Sequence, residues 1–228
     1  NPLANGHGLY SGTAFFTKEG KPAHTYCGAG TDLNWIQYAL DDNLEKWSKP
    51  ELIMPRDKDG KLMTKVNYFD PDVWVMNGQY YALNSRSPHE VPSMMKSDNL
   101  KDWTYMGELL HPDFDEEKLG VKKSEDISCP NFFKLGDKWV LLCISHRLGC
   151  RYFIGEFKDG KFLPEHHAVL GGRSQLYFAP ESLKTPDKRR VFWSWIRGGE
   201  MAGVQSLPAE LELPADGIMR IRPIKELE

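Results

Sequence analysis

Short apolar runs separated by glycine-centred polar turns dominate the chain. Three stretches share one layout, in which an aromatic-rich run, a turn with glycine and a second apolar run follow each other. They are FFTKEGKPAHTY at 15–26, VWVMNGQYYAL at 73–83 and FFKLGDKWVLLC at 132–143. Two apolar runs joined by a short polar turn are typical of β-hairpins. The pattern therefore predicts an all-β protein.

These hairpins recur at a fixed interval along the chain. Their turn glycines, Gly20, Gly78 and Gly136, are each 58 residues apart. A second element repeats with them, since DDNLEKW at 41–47 returns as SDNLKDW at 97–103. Internal repeats of about 40 to 50 residues or more, with several short strands each, are the signature of blade architectures.

A fourth copy follows at a shorter spacing, with VFWSWI at 191–196 after the turn PDKRR. One blade alone cannot bury both faces, so Trp47 and Trp103 of the repeated element are expected to pack between neighbouring sheets. Helical periodicity is weak apart from part of 112–120, and the charged stretch 56–61 is interpreted as a loop between blades. The chain is therefore interpreted as roughly four blades of a β-propeller.

Composition and charge limit the kinds of molecule that the chain is expected to bind. The formal net charge of −3 argues against nucleic acid or an anionic membrane as the main partner. No apolar run approaches the roughly 20 residues that a membrane helix needs. Cys27, Cys129, Cys143 and Cys150 form no CxxC pair and are interpreted as free buried thiols. The histidines form no ligand pattern, so neither a metal nor a cofactor is expected, and localisation stays open.

Acidic or small polar residues stand at or just before the predicted inner strands. They are Ser11 in LYSGTAFF, Asp70 in NYFDPDVWV, Glu125 and Asp126 in SEDISCPNFF, and Glu181 in YFAPESL. The inner strands of a propeller converge on a central funnel, so these groups are expected to meet there. Recurring acids suit glycoside hydrolysis, in which two carboxylates flank the bond. Each acid alone is equally consistent with a solvated turn, and only the recurrence favours function.

Taken in order, these motifs resemble glycoside hydrolase family 32, the invertase, levanase and fructanase group. LYSGTAFF is similar to that family's F-S-G-S strand, FDPDVW to its R-D-P motif and ISCPNFF to its E-C-P-D segment. YFAPESLKTPDKRRVFWSWI resembles its Y-A-P-Q stretch with the following G-R-R and W-G-W, and the closing PIKELE matches its last segment. The resemblance implies a five-bladed β-propeller, of which residues 1–228 form about four blades as one partial catalytic domain.

The resemblance also implies hydrolysis of β-fructofuranosyl linkages in sucrose or fructans, with retention. Such sites use a nucleophilic Asp, an acid/base Glu and an Asp that stabilises the transition state, and Asp70 falls on the stabiliser. Phe69 stands where the family has Arg, and Ser128 stands where its catalytic Glu precedes Cys-Pro. The predicted substrate-binding residues are Tyr10, Ser11, Phe69, Ser128 and Glu181.

The replacement of the family's Glu by Ser128 leaves the acid/base open. It has either moved to Glu125 or Asp126, just upstream, or been lost. If Ser128 faces the funnel, strand alternation puts Asp126 on the same face and Glu125 on the other, although a β-bulge would reverse this. The alternation favours Asp126, with Glu125 as the alternative.

The family's nucleophile lies in a W-x-N-D-P-N-G stretch, which residues 1–8, NPLANGHG, do not match. We therefore expect the chain to hold blades two to five of a longer protein, called the parent below, without its C-terminal β-sandwich. The chain alone is predicted not to hydrolyse fructosides. Two alternatives stay open because of Phe69 and Ser128: a propeller hydrolase acting on arabinosides or xylosides, and a carbohydrate-binding propeller without catalysis.

Overall fold

Four β-sheets follow one another along the chain. The computed structural model describes residues 6–31, 33–63, 69–85, 91–171, 176–197 and 203–228. Each sheet is built from strands that are consecutive in sequence, which is the blade arrangement of a β-propeller. The chain divides into two compact units, residues 1–111 and 112–228, with two sheets in each. The predicted all-β fold with about four blades is thus confirmed.

The first sheet has β3 at its centre, paired with β1 and β2 on one side and with β4 on the other, while β5 pairs with β4. Between β1 and β2 the chain passes so close to β3 that a Cβ on Gly12 would lie 1.9 Å from the carbonyl oxygen of Thr25. Only glycine fits this approach. The strands are β1 (Gly8–Leu9), β2 (Ala14–Phe16), β3 (Pro22–Ala29), β4 (Leu33–Tyr38) and β5 (Glu51–Leu52).

The second sheet has the order β6-β10-β9-β8-β7, and only its β6–β10 pair is parallel. Asn77 and Gly78 join β7 to β8, and both have positive φ, 51° and 75°. Two such residues form the tight turn that suits the twist of a hairpin. The strands are β6 (Pro55–Arg56), β7 (Phe69–Met76), β8 (Gln79–Ser85), β9 (Ser93–Ser97) and β10 (Trp103–Glu108).

The repeated Asn-Leu-x-x-Trp element has the same local structure in both copies. Leu44 and Leu100 have φ of 60° and 65°, and each accepts a 2.9 Å bond on its carbonyl oxygen from the indole N–H of Trp47 or Trp103. Trp103 is 1% exposed in a core shared by the first two sheets. Trp47 is only partly buried and contacts the ring of His24 in its own sheet. The predicted packing between sheets is therefore confirmed only for Trp103.

The third sheet has its strands in sequence order. Before it, within 112–120, stands the short helix α1 (Glu116–Leu119). Asp115 caps its start by accepting a bond from the backbone N–H of Lys118, and Gly120 ends it at φ 64°. The strands are β11 (Ser128–Leu135), β12 (Lys138–Ser145), β13 (Gly149–Lys158) and β14 (Lys161–Val169).

The fourth sheet has the order β15-β16-β18-β19, with β17 also paired to β16, and a 3₁₀ helix, Lys225–Leu227, follows it. One apolar cluster lies between the third and fourth sheets and forms the core of the second unit. Its members include Val140, Leu142, Ile144, Tyr152, Phe178, Phe192 and Leu211. The strands are β15 (Tyr177–Lys184), β16 (Arg190–Ile196), β17 (Val204–Gln205), β18 (Ala209–Glu212) and β19 (Arg220–Pro223).

The cysteines are free thiols, as the sequence predicts. Cys27, Cys143 and Cys150 are buried and Cys129 is partly buried. Burial raises the pKa of the Cys143 thiol to about 11, so it stays protonated and unreactive at neutral pH. Within the residues described, no helix is long and apolar enough to cross a membrane.

Candidate active site

The same irregularity occurs near the start of β7, β11 and β15, which belong to the second, third and fourth sheets. Asp70, Cys129 and Ala179 each precede a proline and have φ of 46°, 47° and 45°. At each of these points the pairing with the next strand shifts register. A residue with a side chain rarely adopts such φ, at a cost of about 1–3 kcal/mol, and bulges of this kind are common beside active sites. The bulges coincide with the strand starts where the sequence predicts the site.

The bulge at Asp70 is tied to the first sheet. The Thr13 hydroxyl donates a 3.2 Å bond to the carbonyl oxygen of Pro71, directly after Asp70. Phe69 pairs with Ser85 at the base of the same bulge. Tyr10, 63% exposed, and the exposed Ser11 stand just before Thr13 on the first sheet. The first unit thus fixes the backbone on both sides of Asp70 and presents an open tyrosine ring from the neighbouring strand segment.

Glu125 is held in an ion pair. Its side chain is 9% exposed, and it accepts bonds from the Ser145 hydroxyl at 2.5 Å and from the Arg147 guanidinium. Burial opposes ionisation of this carboxyl, but the bonds from Arg147 and Ser145 outweigh it and keep the pKa of Glu125 below its ordinary value. Glu125 is therefore an ionised acceptor with both oxygens engaged.

Asp126 lies beside Ser128. It is 8% exposed and accepts the Ser128 hydroxyl at 2.6 Å, the backbone N–H of His146 at 2.9 Å and Nδ1 of His146 at 2.6 Å. Burial opposes its ionisation, but these bonds prevail and lower the pKa of Asp126. The register shift starts only after Ser128. Asp126 itself lies before the first residue of β11, in direct contact with the Ser128 side chain, and the orientation of both side chains towards a funnel stays a prediction.

The backbone that carries both acids is anchored by a buried arginine. Arg151, in β13, is 0% exposed, and its Nη2 donates to the carbonyl oxygens of Glu125 and Asp126 at 3.2 and 2.5 Å. Its guanidinium also lies 4.9 Å from the ring centroid of Phe153. The positive charge adds to the electrostatic stabilisation of the ionised Glu125. Arg151 thus fixes the chain just before β11.

Glu181 lines a cleft in the fourth sheet. The cleft has a volume of about 290 Å³, with Trp193, Trp195 and Gln205 among its lining residues. Phe178 packs edge-on against Trp195 at 5.9 Å between ring centroids. Indole faces beside a carboxylate and an amide provide both the stacking surface and the hydrogen-bond acceptors that a sugar ring needs. The predicted Glu181 thus lies beside two indoles, and its role in binding a sugar stays a prediction.

No metal centre accompanies these groups. In the ranges that the structure covers, no set of three His, Cys, Asp or Glu side chains has the geometry to hold an ion. The side chains described at the candidate site are carboxylates, an imidazole, guanidinium groups and aromatic rings.

The decisive comparison is with protein families. The model described as "Glycosyl hydrolases family 32 N-terminal domain" matches residues 2–217. The chain belongs to glycoside hydrolase family 32. The bulges at Asp70 and Cys129 lie within the matched residues, and their correspondence to the family's R-D-P and E-C-P motifs stays a prediction from the sequence.

Curated relatives in the family are distant and longer. The sucrose-6-phosphate hydrolase of Zymomonas mobilis is 26% identical over 194 residues, which cover 73% of this chain and 37% of that protein. The cell wall β-fructofuranosidase of Zea mays is 24% identical, covering 97% of this chain and 44% of that protein. The chain thus spans less than half the length of these family 32 relatives.

Solved structures show the same fold. The sucrose-6-phosphate hydrolase of Lactobacillus gasseri has a TM-score of 0.73 and 23% identity, covering 97% of this chain and 50% of that one. A fructan 1-exohydrolase IIa of Cichorium intybus in complex with 1-kestose also has a TM-score of 0.73, with 17% identity and coverage of 97% and 48%. These family 32 likenesses support the propeller architecture.

Four residues that contact the two acids were not among those predicted from the sequence: Ser145, His146, Arg147 and Arg151. A signal for the first three is present in the hairpin pattern. In an antiparallel hairpin turning at Gly136, the residues that face the start of β11 are those at the end of β12, and Ser128 indeed pairs with Ile144. The run Ser-His-Arg at 145–147 therefore returns to the two acids.

Proposed function

We propose that the parent protein hydrolyses β-fructofuranosyl linkages, as in sucrose or fructans, with retention of configuration. One observation carries the proposal: a family 32 model extends over residues 2–217, and within it Asp70, the predicted R-D-P counterpart, stands on a left-handed bulge. Backbone strain of this kind is concentrated at binding and catalytic sites and therefore supports such a role for Asp70. The names of the relatives from Zymomonas mobilis and Zea mays support the same substrate class.

Asp70 is proposed to stabilise the transition state. Its carboxylate binds sugar hydroxyls and opposes the positive charge that develops on the fructosyl ring in the oxocarbenium-like transition state. Tyr10, Ser11 and Phe69 line the same subsite, with Phe69 giving an apolar contact where the family has a guanidinium. The fixed backbone around Pro71 supports this role, because a preorganised carboxylate stabilises the transition state without a reorganisation free energy.

At the acid/base position we propose Asp126, in preference to Glu125, as the carboxylate that serves the proton transfer. Asp126 lies beside Ser128, the residue in place of the family's Glu, and Ser128 donates directly to it. Glu125 is engaged by Ser145 and Arg147 instead. Ser128 itself is proposed to contact the substrate through its hydroxyl. Asp126 thus carries the negative charge of the site at this strand start.

Glu181 is proposed to bind a hydroxyl group of the sugar. The indoles of Trp193 and Trp195 beside it offer faces on which a pyranose or furanose ring stacks. Neither a metal nor a cofactor takes part in this reaction, and neither nucleic acid nor a membrane is a proposed partner.

This chain alone is proposed to be inactive. Retaining hydrolysis needs a second carboxyl about 5–5.5 Å from the first, and the family's nucleophile motif W-x-N-D-P-N-G has no counterpart in the chain. Binding of a fructosyl unit without turnover is the expected behaviour of the isolated chain.

The test is release of fructose from sucrose, inulin and levan by the parent, with the Asp70→Asn variant beside it. We expect cleavage by the parent and a loss in kcat of about 10²-fold or more in the variant. Asp137→Asn, an exposed turn residue, is the matched control and should keep full activity. If the parent cleaved arabinosides or xylosides but no fructoside, the proposal would be overturned. Binding of fructan by the parent without turnover would overturn it as well.

A further inference from the structure

The two acids at the start of β11 have no proton to give. Glu125 and Asp126 have lowered pKa values despite their burial because their carboxylates accept bonds, Glu125 from Ser145 and Arg147 and Asp126 from the Ser128 hydroxyl and the His146 backbone N–H. A general acid must instead be protonated near the working pH and must have a donor aimed at the leaving group. Asp126 therefore serves the acid/base position through another group.

We propose that His146 is the proton donor and acceptor of this site, with Asp126 as its positioning residue. This inference rests on the proposed glycoside hydrolysis and identifies the group that carries its proton. An imidazole whose one nitrogen is bound to a carboxylate and whose other nitrogen faces solvent has the arrangement of an acid/base histidine.

The geometry fixes which nitrogen acts. An ionised carboxylate only accepts, so Nδ1 of His146 donates its proton to Asp126 across 2.6 Å. The same Asp126 oxygen accepts the backbone N–H of His146 at 2.9 Å, which holds the whole residue against the acid. Nε2 forms no hydrogen bond with any residue that the structure describes, and the side chain is 69% exposed. Nε2 is therefore the nitrogen available to a substrate.

The ring is also supported from the fourth sheet. The imidazole meets Phe178 edge-on at 5.9 Å between ring centroids. Phe178 in turn packs against Trp195, which lines the cleft that holds Glu181. The histidine thus lies next to the aromatic wall of the proposed sugar-binding cleft, within the second unit.

Asp126 is the carboxylate that contacts the imidazole directly. Glu125 is instead neutralised by Arg147. Arg197 is stacked on Phe178 at 4.2 Å. The charged side chains that contact the two acids or Phe178 are Arg147, Arg151 and Arg197, and β15, which carries Phe178, also carries Glu181 and Lys184.

His146 gives up one proton in the first step of retaining hydrolysis and takes one back in the second. In the first, the Nε2 proton of the imidazolium passes to the glycosidic oxygen, the C–O bond electrons stay on that oxygen, and a carboxylate nucleophile of the parent bonds to the fructosyl carbon. The leaving group departs as a neutral alcohol. In the second, neutral Nε2 takes a proton from water, the water oxygen attacks the same carbon, and the carboxylate is released.

The test compares two substrates in the parent: sucrose, whose leaving group needs a proton, and 4-nitrophenyl β-fructofuranoside, whose leaving group departs without one. For His146→Gln we expect kcat/KM to fall by about 10²–10⁴-fold on sucrose and by less than about tenfold on the nitrophenyl substrate. Asp126→Asn should show the same split with a smaller loss on sucrose. His166→Gln, an exposed histidine that packs against Tyr152, is the matched control and should change neither.

Each outcome decides the matter. Equal losses on both substrates, or no loss on either, would overturn the role of His146 while leaving the fructosidase proposal standing. Cleavage of neither substrate by the unmodified parent would instead overturn the proposed function and the role of His146 with it. If Glu125→Gln lost activity on sucrose but not on the nitrophenyl substrate, and His146→Gln did not, Glu125 would be the proton donor. That result would contradict the inference.

Discussion

Replacing Asp126 by alanine tests how firmly this carboxylate is built into the second unit. The variant loses three accepted bonds, from the Ser128 hydroxyl, the His146 backbone N–H and the His146 ring. A hydrogen bond to a charged group contributes about 1.5–3 kcal/mol. The His146 ring is 69% exposed and regains water, so its bond counts little. Burying the charged carboxylate offsets part of the contribution of the other two bonds. The expected net loss of unfolding free energy in Asp126→Ala is therefore about 2–4 kcal/mol.

The sign of the pH dependence follows from the same contacts. The pKa of Asp126 is lower in the folded chain than in the unfolded one, so its contribution is present above the ordinary aspartate pKa of about 3.9 and is lost as pH falls through the folded value. The difference in unfolding free energy between the unmodified chain and Asp126→Ala should therefore shrink between pH 5.5 and pH 3.

The assay is urea unfolding followed by tryptophan fluorescence, at pH 5.5 and at pH 3. Asp137→Ala, an exposed acid in the β11–β12 turn of the same sheet, is the control and should stay within about 0.5 kcal/mol at both pH values. A loss below about 1 kcal/mol at pH 5.5, or a difference that grows on acidification, would refute the proposed bonding of Asp126.

Two further predictions concern the first unit. Trp103→Ala should cost about 3–5 kcal/mol of unfolding free energy and Trp47→Ala about 1 kcal/mol, because only Trp103 is fully buried; equal losses in urea unfolding would contradict this. Gly12→Ala should lower the thermal midpoint more than Gly20→Ala, since the new Cβ meets the Thr25 carbonyl oxygen in the first and no atom within 4 Å in the second. The reverse order would show that the strands separate easily at Gly12.

Local turn chemistry explains why the fold was predictable. Gly20, Gly78 and Gly136 all adopt positive φ in hairpin turns, and their equal spacing located three of the four sheets. The repeated Asn-Leu-x-x-Trp element also predicted the local backbone conformation, since both copies form the same hydrogen bond from the indole N–H to the leucine carbonyl oxygen. It was not informative about burial, because the depth of Trp47 and Trp103 depends on what each sheet packs against.

The candidate site was only partly predictable from the sequence. The contact between Asp126 and Ser128 is local in sequence, although Asp126 lies before the first residue of β11, and the predicted orientation of the two side chains towards a funnel stays a prediction. The positive φ of Cys129 and Ala179 could not be predicted from the sequence, since neither residue type favours that conformation. His146 was missed because its role depends on a contact across the hairpin, and only pairing of β11 with β12 brings it to the acids.

The most direct measurement for the central claim is the initial rate of fructose release from sucrose by the parent, with Asp70→Asn and His146→Gln assayed in parallel. The account predicts turnover by the unmodified protein and a loss of about 10²-fold or more in each variant. Undiminished turnover in both variants would contradict the assignment of the site to these strand starts. Absence of fructose release by the unmodified parent would contradict the assignment of function.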